Sequence, residues 1–291
     1  MLKTILRRIT DHIIYMPHDD HTDRPILASI SGANLTLGID AGNSSVHANL
    51  FLQELAKHNE KKIDFLVLTH WHWDHVFGCS RMNLPIISHV GTQEQLVKLQ
   101  GLAWTDEALD ERVKAGSEIP FCAEMIKKEF PTHRDIRIET PSIVFEQKLE
   151  LDLGGVNCLI EHVGGDHSSD SCIVYVKEDK VLFLGDCLYP DYYNGDWKYT
   201  TQNVLVLLDR LQTYDADHYI ISHRDPLTKA EFQQEADFYR KISTLLGQHG
   251  NDHSAICAGL SHFIGRALIE EELFIVDWFV NGFKMNQPND N

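Results

Sequence analysis

The sequence predicts a mixed α/β protein in which clusters of short strands alternate with single helices. Residues 10–40 hold three short apolar stretches, His12–Met16, Ile26–Ile30 and Leu35–Ile39, separated by polar or glycine-containing turns. Residues 143–186 repeat the pattern with Ile143–Phe145, Leu149–Leu153, Val156–His162, Cys172–Val176 and Val181–Leu184. Between and after these clusters, apolar residues fall at helical spacing. A chain of 291 residues can bury a sizeable core as one large domain or two small ones.

Taken in order, the first cluster reads as a β-meander ending in Gly38-Ile39-Asp40-Ala41-Gly42. Asn43, Ser44 or Ser45 can cap the helix that follows, with Val46, Leu50, Phe51 and Leu55 on one face. A strand over Phe65–Leu68 and another over Leu84–Ser88 come next. Thr92 and Gln95 have the spacing of a capping box for a helix through Leu99. Residues 101–140 are rich in charge and lack strand-like alternation. They read as a helical insertion of two short helices, either a surface excursion or a lid over a site. In the second cluster, Gly154-Gly155 and Lys177–Lys180 make hairpin turns. A helix over Thr201–Leu211, with Val204, Leu205, Leu208 and Leu211 on one side, leads to a last strand, His218–Ser222. Thr228 with Glu231 caps a helix reaching Leu246, and Ser254–Phe283 forms two more. The apolar face carrying Ile256, Leu260, Phe263 and Ile264 reads as core or as a homodimer contact. The tail after Lys284 reads as frayed. No tandem repeat is evident. The domain reading is a main unit over 1–240 and a helical extension over 241–291 packed on it.

Bulk properties narrow the function. A formal charge of −17 argues against nucleic-acid binding, which needs basic surface. The N-terminus lacks an uninterrupted apolar signal core, and no run approaches membrane-spanning length, so the expectation is a cytoplasmic protein with no membrane partner. Six cysteines without a CxxC pair are expected to be free thiols.

The chemistry is concentrated in Phe65 to Gly78, FLVLTHWHWDHVFG. An apolar strand stops at Thr69, and His70, His72, Asp74 and His75 follow within six residues. Imidazole and carboxylate are the usual protein ligands of zinc and similar divalent metals. A polar loop that is histidine-rich by accident is the competing explanation. Three later residues sit in comparable places. His167 lies in a Gly/Ser loop between two apolar strands, Asp186 ends the run Val181–Gly185, and His223 ends the strand at Ser222. A carboxylate closing a fully apolar strand needs a partner, since its burial is costly.

With these motifs in order, the chain resembles the metallo-β-lactamase superfamily. Its HxHxDH motif stands complete as His70-Trp71-His72-Trp73-Asp74-His75. Gly38-Ile39-Asp40-Ala41-Gly42 is similar to the family's early strand end, Pro141 to His162 to the strand hairpin before its second histidine motif, Leu184-Gly185-Asp186 to its bridging-aspartate motif, and Ser222-His223 to its final histidine motif. The resemblance covers roughly residues 10–240. It implies a four-layer αββα sandwich with a dinuclear centre at one edge. One metal would take His70, His72 and His167; the other would take Asp74, His75 and His223; Asp186 would bridge them, and Asp40 would support the ligand loop from behind. Three departures stand out. Asp166 and Asp170 replace glycines near the second motif, adding carboxylates that would disfavour anionic substrates or hold a cationic group. Arg224 follows the final histidine as a substrate contact or, slightly favoured, an ion-pair partner. Cys187 follows Asp186 as a strand neighbour rather than a ligand.

The implied function is a hydrolase with two divalent ions, zinc foremost and Mn2+ or Fe2+ as alternatives. Roughly 3.5–4 Å apart, such ions share a hydroxide that attacks an ester, lactone or thioester bond of a small molecule. Asp74 is both a ligand and a candidate proton shuttle. Tyr189 has the offset from Asp186 of a tyrosine that meets the substrate carbonyl in lactone-hydrolysing members; aromatic crowding is the competing explanation. Trp71 and Trp73 are candidates for the pocket mouth, with packing expected for at least one. A small phosphodiesterase, or an iron redox enzyme of the persulfide dioxygenase kind, uses the same ligands and stands as the alternative. A metal-binding sensor or interaction protein without turnover is a third reading, which the intact ligand set argues against.

Overall fold

The computed structural model describes residues 5–132 and 134–285. β1 (Arg7–Arg8), β2 (Ile13–Met16), β3 (Leu27–Ser31) and β4 (Thr36–Ile39) form an antiparallel meander. α1 (Ser45–Lys57) crosses to β5 (Phe65–Val67), which runs parallel to β4. Single turns α2 (Trp73–Val76) and α3 (Cys79–Met82) lead to β6 (Ile86–His89) and α4 (Val90–Leu99). The insertion contributes α5 (Asp106–Ala115) and α6 (Pro120–Glu129). β7 (Ile143–Phe145) then pairs parallel with β6 and closes the first sheet. The chain passes to a second, largely antiparallel sheet: β8 (Lys148–Asp152), β9 (Asn157–His162), β10 (Cys172–Val176) and β11 (Val181–Gly185). α7 (Thr201–Leu211) crosses to β12 (His218–Ile221), parallel to β11, and β13 (Leu227–Thr228) finishes the sheet. α8 (Lys229–His249), α9 (His253–Ile264) and α10 (Glu270–Met285) follow. Among the described residues the sheets have seven strands, in order β1 to β7, and six, in order β13-β12-β11-β10-β9-β8.

Period-two alternation stacks these elements into layers. In β5, Leu66 faces α1 and the insertion while Val67 faces the other sheet. In β11, Leu182 and Leu184 face α7 and α8, while Val181 and Phe183 face inward. Both strands are buried on both faces, which explains their continuous apolar sequence. The inner faces meet in one apolar layer containing Ala28, Leu37, Val67, Ile160, Val174, Phe183 and Ile220. Helices cover the two outer faces, giving the αββα sandwich. α8 packs on the outer face of the second sheet, and α9 and α10 pack on α7 and α8, in one core that includes Phe232, Ile242, Leu260 and Phe279. No helix among the described residues is long and apolar enough to cross a membrane.

Several local expectations are corrected. α4 starts at Val90, not at Thr92. His89 is its N-cap, its Nδ1 accepting the Gly91 N–H, and the Thr92 hydroxyl donates to Asp170 instead of capping. Val46 is exposed on α1, whose buried face is Ala48, Phe51 and Leu55. On α7 the buried face takes Leu207 rather than Leu205. Phe263 is exposed on α9. The capping box of Thr228 and Glu231 is present at the start of α8. The six cysteines are free thiols. Of the tail beyond Lys284, residues 286–291 lie outside the described residues.

Candidate metal centre

The centre lies where strands of both sheets end. Asp40 follows β4 in a left-handed conformation, φ 56°. Its Oδ1 accepts the Thr69 N–H at 2.8 Å, and its Oδ2 accepts the Thr69 hydroxyl at 2.9 Å and the His75 Nδ1–H at 2.8 Å. One buried carboxylate thus fixes both ends of the histidine loop and turns Nε2 of His75 toward the centre. With its own proton given to Asp40, the Thr69 hydroxyl accepts from His70 Nδ1 at 3.1 Å, so Nε2 of His70 also faces inward. The Thr69 carbonyl accepts the Cys172 N–H of β10 at 2.8 Å and ties the loop to the second sheet. Gly185, at φ 53°, lets β11 pass this loop: a Cβ there would come within 2.8 Å of the Thr69 side chain. Asp186 follows at once and is thereby aimed at the histidines.

Seven side chains form two groups whose ligand atoms lie within 4.8 Å of one another: His70, His72 and His167, then Asp74, His75, Asp186 and His223. In the first, His72 Nδ1 stands 3.0 Å from His70 Nε2 and 2.9 Å from His167 Nε2. In the second, Asp74 Oδ2 lies 2.9 Å from His75 Nε2 and 3.0 Å from His223 Nε2. Asp186 Oδ2 connects the groups, at 3.4 Å from His75 and His223, 3.5 Å from His167 and 4.0 Å from His70.

Electrostatics separate the two groups. Burial and then neighbouring imidazoles push His70 and His72 well below the ordinary histidine range, and burial lowers His167. Burial alone would raise Asp74 and Asp186, but His75 and His223 outweigh it and hold both carboxylates ionised. Burial opposes charge on His75 and His223 as well, and the surrounding carboxylates override it in both. The residues fit divalent cations on two observations. Three neutral imidazole nitrogens converge in the first group, where a single ring proton cannot satisfy every facing lone pair. In the second, Asp186 Oδ1 is buried without a hydrogen-bond partner.

A cavity of about 200 Å³ opens onto both groups. His72, Asp74, His167, Asp186 and His223 line its floor, and Trp73 and Tyr189 line it as well. Tyr189 is half-buried, its ring 6.0 Å from that of His167 and 6.2 Å from that of His223. Trp73 is also part of the core beneath the first sheet. Trp71 does not line the cavity; it packs edge-on to His72 at 4.6 Å. Arg224 does not line the cavity and donates to Glu235 of α8 at 2.7 Å.

The two carboxylates expected to colour the pocket do not line it. Asp166 accepts from the Thr200 N–H and the Asn203 amide at the start of α7. Asp170 accepts from Thr92 and Ser168. Burial raises the Cys187 thiol, which sits in the core under α7. The carboxylate outside the two groups that does line the cavity is Asp23, which sequence reasoning missed. Its Oδ1 is 3.4 Å from Nδ1 of His223. Burial first, against the pull of His223, raises its pKa to about 7. Asp23 has a left-handed φ of 58° in a turn beside the Asp19–Arg24 bridge, and no spacing in the sequence links that turn to residue 223.

The fold and site define a protein of the αββα class with a histidine and aspartate centre built for divalent metal. The chain belongs to the metallo-β-lactamase superfamily, whose family model matches residues 39–223. Members of that superfamily are mostly metal-dependent hydrolases. No curated protein matches the sequence. Among solved structures, a metallo-β-lactamase from Pontibacter korlensis is similar at 18% identity and a TM-score of 0.56, over 81% of this chain and 98% of that one. The stereoselective inverting sec-alkylsulfatase Pisa1 from Pseudomonas sp. is similar at 16% identity and a TM-score of 0.67. That likeness covers 98% of this chain and 50% of the sulfatase, so this chain spans half its length. At such identities the likeness is one of fold.

Proposed function

We propose that the chain is a dinuclear, zinc-dependent hydrolase of ester, lactone or thioester bonds in a small molecule. The observation that carries this reading is the position of Asp186 Oδ2, within 4.0 Å of ligand nitrogens of both groups. A carboxylate placed between two groups of donors supports a pair of cations over a single one. His70, His72 and His167 would hold one cation, Asp74, His75 and His223 the other, and Asp186 both. Cations held there supply Lewis acidity and a water acidic enough to act as nucleophile near neutral pH.

The chain's own groups would do the rest. Asp74 Oδ2 is shared by His75 and His223, which leaves Oδ1 to take the proton released by the attacking water. Tyr189 stays a phenol because burial raises its pKa, so its O–H can donate to the oxygen on which negative charge develops. The inward-facing aromatic side chains of the cavity exclude bulk water.

The likeness to the alkylsulfatase across 98% of the chain favours sulfate esters as a second reading. Against it, among the described residues no lysine or arginine lines the cavity to hold the outer oxygens of a sulfate. Protein loaded with zinc or manganese, assayed on ester, lactone, thioester, phosphodiester and alkyl sulfate panels, decides. Turnover of a carboxylic ester, lactone or thioester that stops on chelation and in Asp186→Ala is the expected result. Turnover of alkyl sulfates alone would overturn it.

A further inference from the structure

We propose that the metal cavity selects substrates whose non-reacting part is uncharged and apolar, and that Phe121 and Trp197 at its mouth read that part. This rests on the hydrolase reading above and adds the class of substrate.

The charge of the lining is one-sided. Asp23, Asp74 and Asp186 line the cavity, and among the described residues no lysine or arginine does. The two arginines adjacent in sequence to the site are engaged elsewhere, Arg24 with Glu129 at 2.8 Å and Arg224 with Glu235 at 2.7 Å. Cations held by the ligand groups would attract negative charge at the reacting bond. A second anionic group, farther out on the substrate, would be desolvated beside carboxylates and gain no partner.

The walls carry the opposite message. Ile119 and Phe121 come from the start of α6, and Tyr192, Tyr193 and Trp197 from the segment after Asp186. Phe121 and Trp197 remain 45% and 43% exposed, so an apolar group entering the cavity takes area on both out of water. The volume of about 200 Å³ is below the roughly 300–1,000 Å³ usual for drug-sized ligands, which fits a small substrate.

The wall is also braced. The Tyr193 hydroxyl donates to Glu118 at 3.3 Å, joining the segment after Asp186 to the start of α6. At the other end of α6, Glu129 accepts from Thr22, Ser44 and Arg24. Apolar surface held in place this way costs little ordering when a ligand binds.

The test uses alkyl hydroxamates, uncharged metal-binding probes, titrated calorimetrically into the zinc-loaded full chain. Acetyl, butyryl, hexanoyl and octanoyl hydroxamates are compared with the succinyl hydroxamate, which ends in a carboxylate. The Kd is expected to fall roughly two- to fourfold per added methylene until the cavity is full. The carboxylate-ended probe is expected to bind at least tenfold more weakly than the butyryl one. Phe121→Ala and Trp197→Ala are expected to flatten the chain-length slope to under twofold per methylene. A flat slope in the wild type, or tighter binding of the succinyl probe, overturns the proposal. Because binding is read without turnover, loss of the hydrolase reading in the substrate panel is a separate outcome.

Discussion

The carboxylate of Asp23 stands 3.4 Å from Nδ1 of His223, so the last candidate ligand in the chain is oriented by the turn before β3. Asp40 does the same for His75 at 2.8 Å. In each case the outer nitrogen is engaged and Nε2 is left to face Asp74 and Asp186. Replacing such a carboxylate typically costs 10–100-fold in metal affinity. If the proposed pair of zinc ions is bound, Asp23→Asn is therefore expected to weaken one of them by about that factor, read by competition with a chromophoric chelator. Equal weakening of both ions would contradict the pairing.

The two ligand groups make a second expectation countable. His72→Ala removes a member of the three-histidine group, and His223→Ala a member of the other. Elemental analysis after dialysis should find about one equivalent of metal lost in each variant, against two in the wild type. Asp186→Ala, whose Oδ2 touches both groups, should weaken both ions.

Glu161 on β9 receives two 2.6 Å hydrogen bonds from Arg210 of α7 and a further bond from the Tyr214 hydroxyl. Burial pulls its pKa upward, but Arg210, Tyr214 and Lys148 outweigh it and hold the carboxyl below its usual value. A depressed carboxylate stabilises the fold above its unfolded pKa, about 4.3, and that contribution is lost as pH falls through the folded value. Glu161→Gln should thus cost about 1 kcal/mol at pH 7, since Arg210 is partly exposed and solvent screens the pair. Urea melts should show the deficit shrinking below about pH 4.

α10 meets the segment around Tyr199 with almost no clearance. A Cβ on Gly282 would fall 1.8 Å from the Tyr199 carbonyl oxygen. Gly282→Ala must push the helix outward, at about 1–3 kcal/mol for overpacking. Trp278 of the same helix packs against Trp197 with rings 6.0 Å apart, so the shift should reach the cavity mouth and change tryptophan fluorescence. A variant with unchanged stability and emission would show that this contact relaxes freely.

How far the sequence carried depended on whether partners were close along the chain. The strand ending at Thr69 and the four ligands after it are one local pattern, and apolar alternation revealed most strands. The Thr92 and Gln95 spacing misled because a local motif competed with a remote partner: Asp170 claims the Thr92 hydroxyl, and His89 caps α4 instead. Asp23 was invisible for the same reason, its partner being His223 at the other end of the fold. Asp166 and Asp170 were visible as acids, but only the backbone path of their loop decides that they face α7 and α4. The aromatic wall depends on how two irregular segments meet at Tyr193 and Glu118, which no periodicity records.

Each ligand group draws from both halves of the sandwich. His70 and His72 follow β5, while His167 follows β9 in the other sheet; Asp74 and His75 belong to the first half, Asp186 and His223 to the second. The layer between the sheets is apolar, and apolar contact is non-directional: it favours closeness without setting how one sheet slides over the other. Cations coordinated at one edge would act as a clasp that fixes this alignment. Assembly of the centre and docking of the two halves then become one linked equilibrium, in which metal affinity is also a measure of how firmly the sandwich is shut.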